Sequence, residues 1–110
     1  AGDVVPLAMA WQALDQIGHD YTVFVHLHDS SGRTVAQLDF QPFDGAYPTS
    51  HWSPGQTIEE TRLWTLPTHL PAGLYRLITG LYQVDTLTRL PVPGSGEGHD
   101  QVLLGEVWVR

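Results

Sequence analysis

The feature that most restricts this chain is its punctuation. Apolar-rich runs of strand length are separated by clusters of Pro, Gly and Asp, and no run carries a sustained helical period. "VVPLAMAWQAL" (4–14) puts Leu7, Met9 and Trp11 on one side. "YTVFVHLHD" (21–29) alternates Tyr21, Val23, Val25 and Leu27 against Thr22, Phe24, His26 and His28. Asp29-Ser30-Ser31-Gly32 reads as a turn and "RTVAQLDF" (33–40) as the next strand, so 21–40 is a predicted β-hairpin. "TIEETRLWTL" (57–66) follows a long loop, and its imperfect alternation points to a bulge. "LYRLITGLY" (74–82) carries Gly80 as a bulge or close backbone approach. "TRLPV" (88–92) is a short strand and "QVLLGEVWV" (101–109) the last. Residues 12–20 have room for a helical turn but, with Gly18 inside, not for a full helix.

These runs predict an all-β chain: an immunoglobulin-like antiparallel β-sandwich of about seven strands in one domain, 1–110. "LPAGLYRL" (70–77) sharpens the class. It places Tyr75 directly after a Pro-Ala-Gly corner and two residues before a core-type position, Leu77. That is the pattern of a tyrosine corner, in which the phenol bonds back to the backbone upstream.

Composition narrows the function. The chain is 42% hydrophobic, enough for a single core over 110 residues, and has no run long enough to span a bilayer. Its net charge is -7, its five basic residues are all Arg, and none of them cluster. This argues against nucleic acid and against anionic membrane surfaces as partners. Without Cys there are no disulfides, no thiol catalysis and no thiolate metal sites. The chain starts Ala1-Gly2-Asp3, with neither an initiator Met nor a signal peptide, and reads as a piece of a larger protein.

Five phrases in order, "GDVVPLAMAWQAL", "DYTVFVHLHDSSGRTVAQLD", "YPTSHWSPGQTI", "LPTHLPAGLYRLITGLYQVDTLTRLPV" and "LLGEVWV", carry a likeness over nearly the whole chain. Together they resemble the β-sandwich accessory domains of bacterial multi-spanning membrane glycosyltransferases of the dolichyl-phosphate-mannose mannosyltransferase type. They also resemble related surface proteins of Chloroflexus-like bacteria. The resemblance implies an extracytoplasmic domain at the membrane face or cell surface, whose partner is a glycan or the membrane portion of its parent. It brings no catalytic residue, since the catalytic acids of such transferases lie in their membrane part. His28 departs from the family phrase, which is closer to "VHLLD".

The loop "DGAYPTSHWSPGQ" (44–56) concentrates aromatic side chains between prolines and glycines. As a sugar platform it offers the rings of Tyr47, His51 and Trp52, with Asp39, Gln41 and Asp44 as acceptors. As a crossover between sheets it uses Trp52 to plug the core, stiffened by Pro48 and Pro54. Trp52 reads better as the plug, Tyr47 and His51 as contact surface. His26 and His28 share a strand face and can hold a divalent metal with a third ligand such as His51 or Asp39, but no further spaced ligand compels a metal site. The plainer reading is preferred: His26 buried beside Phe24 and hydrogen-bonded to backbone or an Asp, His28 exposed near the turn. No cofactor is expected.

Other constellations carry little. Glu59 and Glu60 are adjacent and face opposite ways on a strand, unlike glycosidase carboxylates, which face each other at roughly 5–10 Å. Ser50-His51 lacks a nucleophile elbow. "GSGEG" (94–98) lacks the Lys and helix of a phosphate loop and reads as a flexible connection. Asp29–Gly32 lacks the later Glu of a calcium loop. Trp11, Trp64 and Trp108 sit in strands. Trp64 shares its face with Glu60 and Arg62, which predicts an exposed face and a second contact surface.

Three functions follow in order: a non-catalytic accessory module that binds carbohydrate weakly through the 40–55 loop, a spacer or protein-interaction module, and an enzyme or metalloprotein.

Overall fold

The alternation of the runs becomes six antiparallel strands in two sheets. The computed structural model describes residues 3–93 and 100–110, so the "GSGEG" connection lies outside the described residues. The strands are β1 (Val4–Gln12), β2 (Thr22–His28), β3 (Thr34–Phe40), β4 (Thr57–Thr65), β5 (Gly73–Tyr82) and β6 (Val102–Val109). β1 and β4 form one sheet, and the other has the order β3-β2-β5-β6. Successive strands switch sheets at 13–21, 41–56 and 66–72, which makes the long loop a crossover. Among the described residues the count is six rather than seven. The 88–92 run makes a single bridge, Arg89 to Tyr82, and Pro91 and Pro93 cannot donate to a ladder.

The core lies between the sheets. From β2 it takes Val23, Val25 and Leu27, from β1 Leu7 and Met9, from β4 Trp64, from β5 Tyr75, Leu77 and Leu81, and from β6 Val109. The parity read for β2 therefore holds, with Phe24, His26 and His28 on the opposite face. A satellite cluster of Ala13, Trp52 and Ile58, with Trp11, Ile17 and Tyr47 packed against it, closes one end.

Two local devices hold the corners. The Tyr75 hydroxyl donates to the Pro71 carbonyl at 2.6 Å, which is the tyrosine corner expected from "LPAGLYRL". In the β2–β3 turn, Asp29 Oδ1 accepts from the Ser31 and Arg33 backbone N–H groups. Hydrogen bonding, led by the Ser31 hydroxyl, holds the Asp29 carboxyl at about 2.

β4 differs from expectation twice. It pairs with β1 in unbroken register from Val4↔Thr65 to Gln12↔Thr57, without a bulge. The register shifts fall instead at Leu27/His28 and Leu77/Ile78. The face of Glu60, Arg62 and Trp64 also points inward: Trp64 is buried, and Leu63 on the other face is 71% exposed. Arg62 can turn inward because it is paired. Its Nη2 donates to Asp44 Oδ1 at 2.6 Å and Glu60 Oε2 at 3.2 Å, and its guanidinium lies 3.9 Å over the Phe40 ring. Burial opposes its charge, but these two carboxylates outweigh burial and raise its pKa. Inward charges on β4 and Pro6 in β1 also blunt the edges of a two-stranded sheet. The exposed tryptophan is Trp108, 66% accessible on β6. Residues 13–20 hold no helical turn, and among the described residues no helix is long and apolar enough to cross a membrane.

Candidate functional site

Most of the candidates read from the sequence lie on the 41–56 crossover. Two 3-10 turns, Pro42–Gly45 and Thr49–His51, fold it against the end of the sandwich. Trp52 is 1% exposed, and its indole N–H donates to the Tyr47 carbonyl at 3.0 Å. Tyr47 is half-buried, and its hydroxyl donates to Gln56 Oε1 at 2.8 Å. Thr49, which no sequence argument singled out, is fully buried. Its hydroxyl donates to the His19 carbonyl at 2.6 Å and accepts from the Tyr21 N–H at 2.9 Å. Ser50 N–H bonds to Asp20, and the Ser50 hydrogen bonds draw the Asp20 carboxyl below its ordinary range. Phe43 and Asp44 both adopt left-handed backbone, φ 53° and 55°, a strained arrangement for non-glycine residues. Phe43 N–H to Glu60 Oε1 at 3.0 Å and the Asp44–Arg62 pair hold it in place.

These contacts commit the loop to the fold. Trp52 is the core plug, the hydroxyls of Tyr47 and Thr49 are engaged within the fold, and Asp44, though its side chain is 79% exposed, is paired with Arg62. His51 alone of the proposed rings is exposed. Asp39 is elsewhere, on the outer face of the four-stranded sheet, so the structure does not bring Asp39, Asp44, Tyr47, His51 and Trp52 into one site.

That outer face carries the better-formed arrangement. The β2–β3 register sets Asp39 opposite Phe24 and Gln37 opposite His26, and the β2–β5 register sets Gly80 and Ile78 on their other side. Tyr82 follows Gly80 by two residues and so faces the same way. Above them runs the segment after β5, carrying Leu87 and Arg89. Phe24, His26, Gln37, Asp39, Tyr82, Leu87 and Arg89 line an open cleft of about 270 Å³.

Its geometry follows from one glycine. A Cβ on Gly80 would lie 2.5 Å from the Phe24 ring and 2.7 Å from the Asp100 carbonyl oxygen. The close backbone approach expected at Gly80 is therefore real, and it lets the Phe24 ring lie flat on the sheet. The Arg89 guanidinium covers that ring at 4.4 Å, steadied by Asp100 Oδ1 at 3.4 Å and Gln101 Oε1 at 3.2 Å. The His26 ring packs 4.6 Å from Phe24, and His28 lies 6.1 Å beyond. Burial, then the charges of Arg89 and His28, hold His26 below its ordinary pKa against the opposing pull of Asp39. The Tyr82 hydroxyl donates to Asp39 Oδ2 at 2.6 Å, and this bond, with burial and the Asp39 charge, pushes its pKa up to about 12.

The cleft thus offers exposed acceptors on Asp39 and Gln37, amide donors on Gln37, and a neutral imidazole. His26 and His28 do share a face, but both are half-buried, so His28 is less exposed than expected. His51 lies on the crossover, away from them. Among the described residues no three His, Cys, Asp or Glu side chains are placed to hold a metal ion. A larger apolar cleft of about 410 Å³ lies where residues 12–18 and 90–93 meet over Trp11, Trp52 and Leu81.

Gln37, Tyr82 and Arg89 were not found from the sequence. The usable signal was the hairpin: folding 21–40 about Asp29–Gly32 brings 37 and 39 beside 26 and 24. The register shift at Leu27/His28 and the return of Arg89 across the sheet leave no such trace. No family model, no curated protein and no solved structure matches the chain.

Proposed function

We propose that this chain is a non-catalytic accessory module of a cell-envelope glycosyltransferase or surface protein, outside the cytoplasm, and that it binds carbohydrate weakly. The observation that carries the binding is the outer-face cleft. There an exposed carboxylate, an exposed amide, an imidazole and a tyrosine converge on one sheet face, with Asp39 held by the Tyr82 hydroxyl through Oδ2 and both Asp39 and Gln37 open to solvent. Hydroxyl-rich ligands are held by such mixed donors and acceptors. Weakness follows from size: about 270 Å³ in an open cleft falls below the roughly 300–1,000 Å³ of pockets that enclose a ligand. The envelope setting rests on the resemblance of the quoted phrases.

The test is a titration of ¹⁵N-labelled chain with simple sugars and short glycans. Saturable shifts at residues 24–28, 37–39 and 82–89 are expected. Shifts confined to 42–52 would return the site to the crossover, and no saturable shift at all would reject the reading.

A second reading, a spacer or protein-interaction module, is favoured by Trp108 at 66% exposure and by Val4 and Leu63, 55% and 71% exposed on the two-stranded sheet. Sedimentation over a range of concentrations, and against the membrane portion of a parent protein, tests it.

A further inference from the structure

The chemistry of the cleft goes further than "carbohydrate", because its charges can be accounted for one by one. Among the residues that line it, Arg89 is the only strong cation. Its Nη1 is already directed at Asp100 and Gln101, and its face is against Phe24. The only carboxylate is Asp39, which is exposed. A carboxylate has about four lone-pair sites, and Tyr82 occupies one, on Oδ2. An anion entering here would meet Asp39 before it met an uncommitted cation. It would also approach a chain of net charge -7. The imidazole adds no positive charge near neutral pH, since burial and Arg89 both disfavour its protonated form.

We infer that the outer-face cleft selects a neutral, hydroxyl-rich ligand, a neutral pyranose of a glycan, over an anionic one. Asp39 and Gln37 are its principal polar contacts, and Leu87 is the apolar edge. The inference rests on the carbohydrate reading above. A hydroxyl can donate to Asp39 while accepting from the Gln37 amide or from His26, and a carboxylate or phosphate has no proton to give Asp39. Leu87, 73% exposed at the rim, gives the C–H face of a sugar ring an apolar neighbour.

The experiment compares the methyl glycosides of glucose, mannose and galactose with sodium glucuronate, at low and high sodium chloride, by NMR on the 110-residue chain. At least one neutral glycoside should shift the Gln37 side-chain amide and the amides of 24–28 and 37–39 saturably, with little dependence on salt. Glucuronate should bind more weakly, and more so at low salt. Asp39→Asn, which leaves Tyr82 an acceptor, should weaken the neutral ligand about tenfold, the loss expected of a hydrogen bond to a charged group. Gln37→Ala should weaken it by less. Tyr47→Phe and His51→Ala should leave it unchanged. Tighter binding of glucuronate at the same residues would overturn the selectivity and leave a carbohydrate module standing. Neutral sugars that shift only residues outside the cleft, or full affinity in both Asp39→Asn and Gln37→Ala, would overturn the cleft assignment alone. Silence from every sugar in the folded chain would end the carbohydrate reading itself.

Discussion

The 41–56 crossover and the outer face of the four-stranded sheet are built from similar residues and do opposite things. Each brings together aromatic rings, a histidine and an aspartate. In the crossover, Trp52 goes inward, Tyr47 ties back to Gln56, and Asp44 pairs with Arg62. On the outer face, strand parity sends Phe24, His26, Asp39 and Gln37 away from the core, and only Phe24 is then covered. The difference has a physical cause. A chain that passes between two sheets leaves the end of the sandwich open, and the largest side chain within reach must close it. A strand has already satisfied its backbone and filled the core with alternate residues, so its other residues remain available. Aromatic content in a connecting loop is therefore weak grounds for a binding site, and a polar row on the free face of a sheet is stronger.

The largest expected effect tests the closed half of that comparison. Trp52→Ala should cost about 3–5 kcal/mol, the usual range for removing a buried large aromatic. A domain of this size is stable by only about 5–15 kcal/mol, so the urea midpoint should fall sharply. If Trp52→Ala keeps wild-type stability and loses sugar binding, the two regions have been assigned the wrong way round.

Thr49→Val comes next. Its own side chain is fully buried, and its hydroxyl serves the Tyr21 N–H in a buried bond and the His19 carbonyl in a part-buried one. Orphaning the buried Tyr21 N–H costs about 1–3 kcal/mol, while water can reach the His19 carbonyl, so the expected net loss is about 1–2 kcal/mol after the new methyl recovers part. Denaturant unfolding measures it, and the sugar response of the folded fraction should be unchanged. A loss below about 0.5 kcal/mol would mean that the crossover is pinned elsewhere.

How far this contrast could be read from the sequence depends on what set each side chain's direction. The β2 parity, the Asp29–Gly32 hairpin, the Tyr75 corner and the close approach at Gly80 were all legible, because each is a local rule with a local signature. Trp52 as plug was legible too, from the length of the connection and its prolines. β4 was not. Both of its faces mix polar and apolar residues, and what turned Glu60 and Arg62 inward was Asp44 and the Phe40 ring, which are distant in sequence. The cleft was half legible. Asp39 and His26 were named together only for the disfavoured metal site, with Asp39 otherwise assigned to the crossover, and Arg89 reaches Phe24 through the segment after β5, whose path no periodicity encodes. The seventh strand was lost to its prolines, an effect that propensity for the run as a whole overlooked.

Gly80→Ala probes the open half. The added methyl would meet Phe24 at 2.5 Å and the Asp100 carbonyl oxygen at 2.7 Å. The ring can tilt, but the carbonyl belongs to backbone. Overpacking of this kind costs about 1–3 kcal/mol, and reduced freedom of the unfolded chain returns about 0.4–1 kcal/mol. The expected net loss is about 1–2 kcal/mol by thermal unfolding, with altered amide shifts at Phe24, His26 and Arg89. A neutral or stabilising Gly80→Ala would mean that Phe24 does not lie flat against the sheet, and the cleft would lose its floor.

The smallest effect concerns His26. The groups around it are His28 on its own strand, Asp39 and Gln37 across β3, Tyr82 on β5, and Arg89 above. Its pKa is lowered by burial first, then by Arg89 and His28, with Asp39 pulling the other way. The folded chain then binds fewer protons than the unfolded chain between the folded value and the ordinary His value of about 6.5. Stability from this group is fully present above pH 6.5. It declines as pH falls through that value and levels off below the folded pKa. His26→Gln should lack this part of the slope, so wild type and variant should converge or cross on the acid side in urea unfolding. NMR titration of the His26 ring protons should give a midpoint below the ordinary His value of about 6.5. A His26 midpoint at or above the ordinary value would mean that the ring is well solvated and the Arg89 charge does not lie near it. The outer face would then be a flat, wet sheet surface, no better formed than the crossover for holding a ligand.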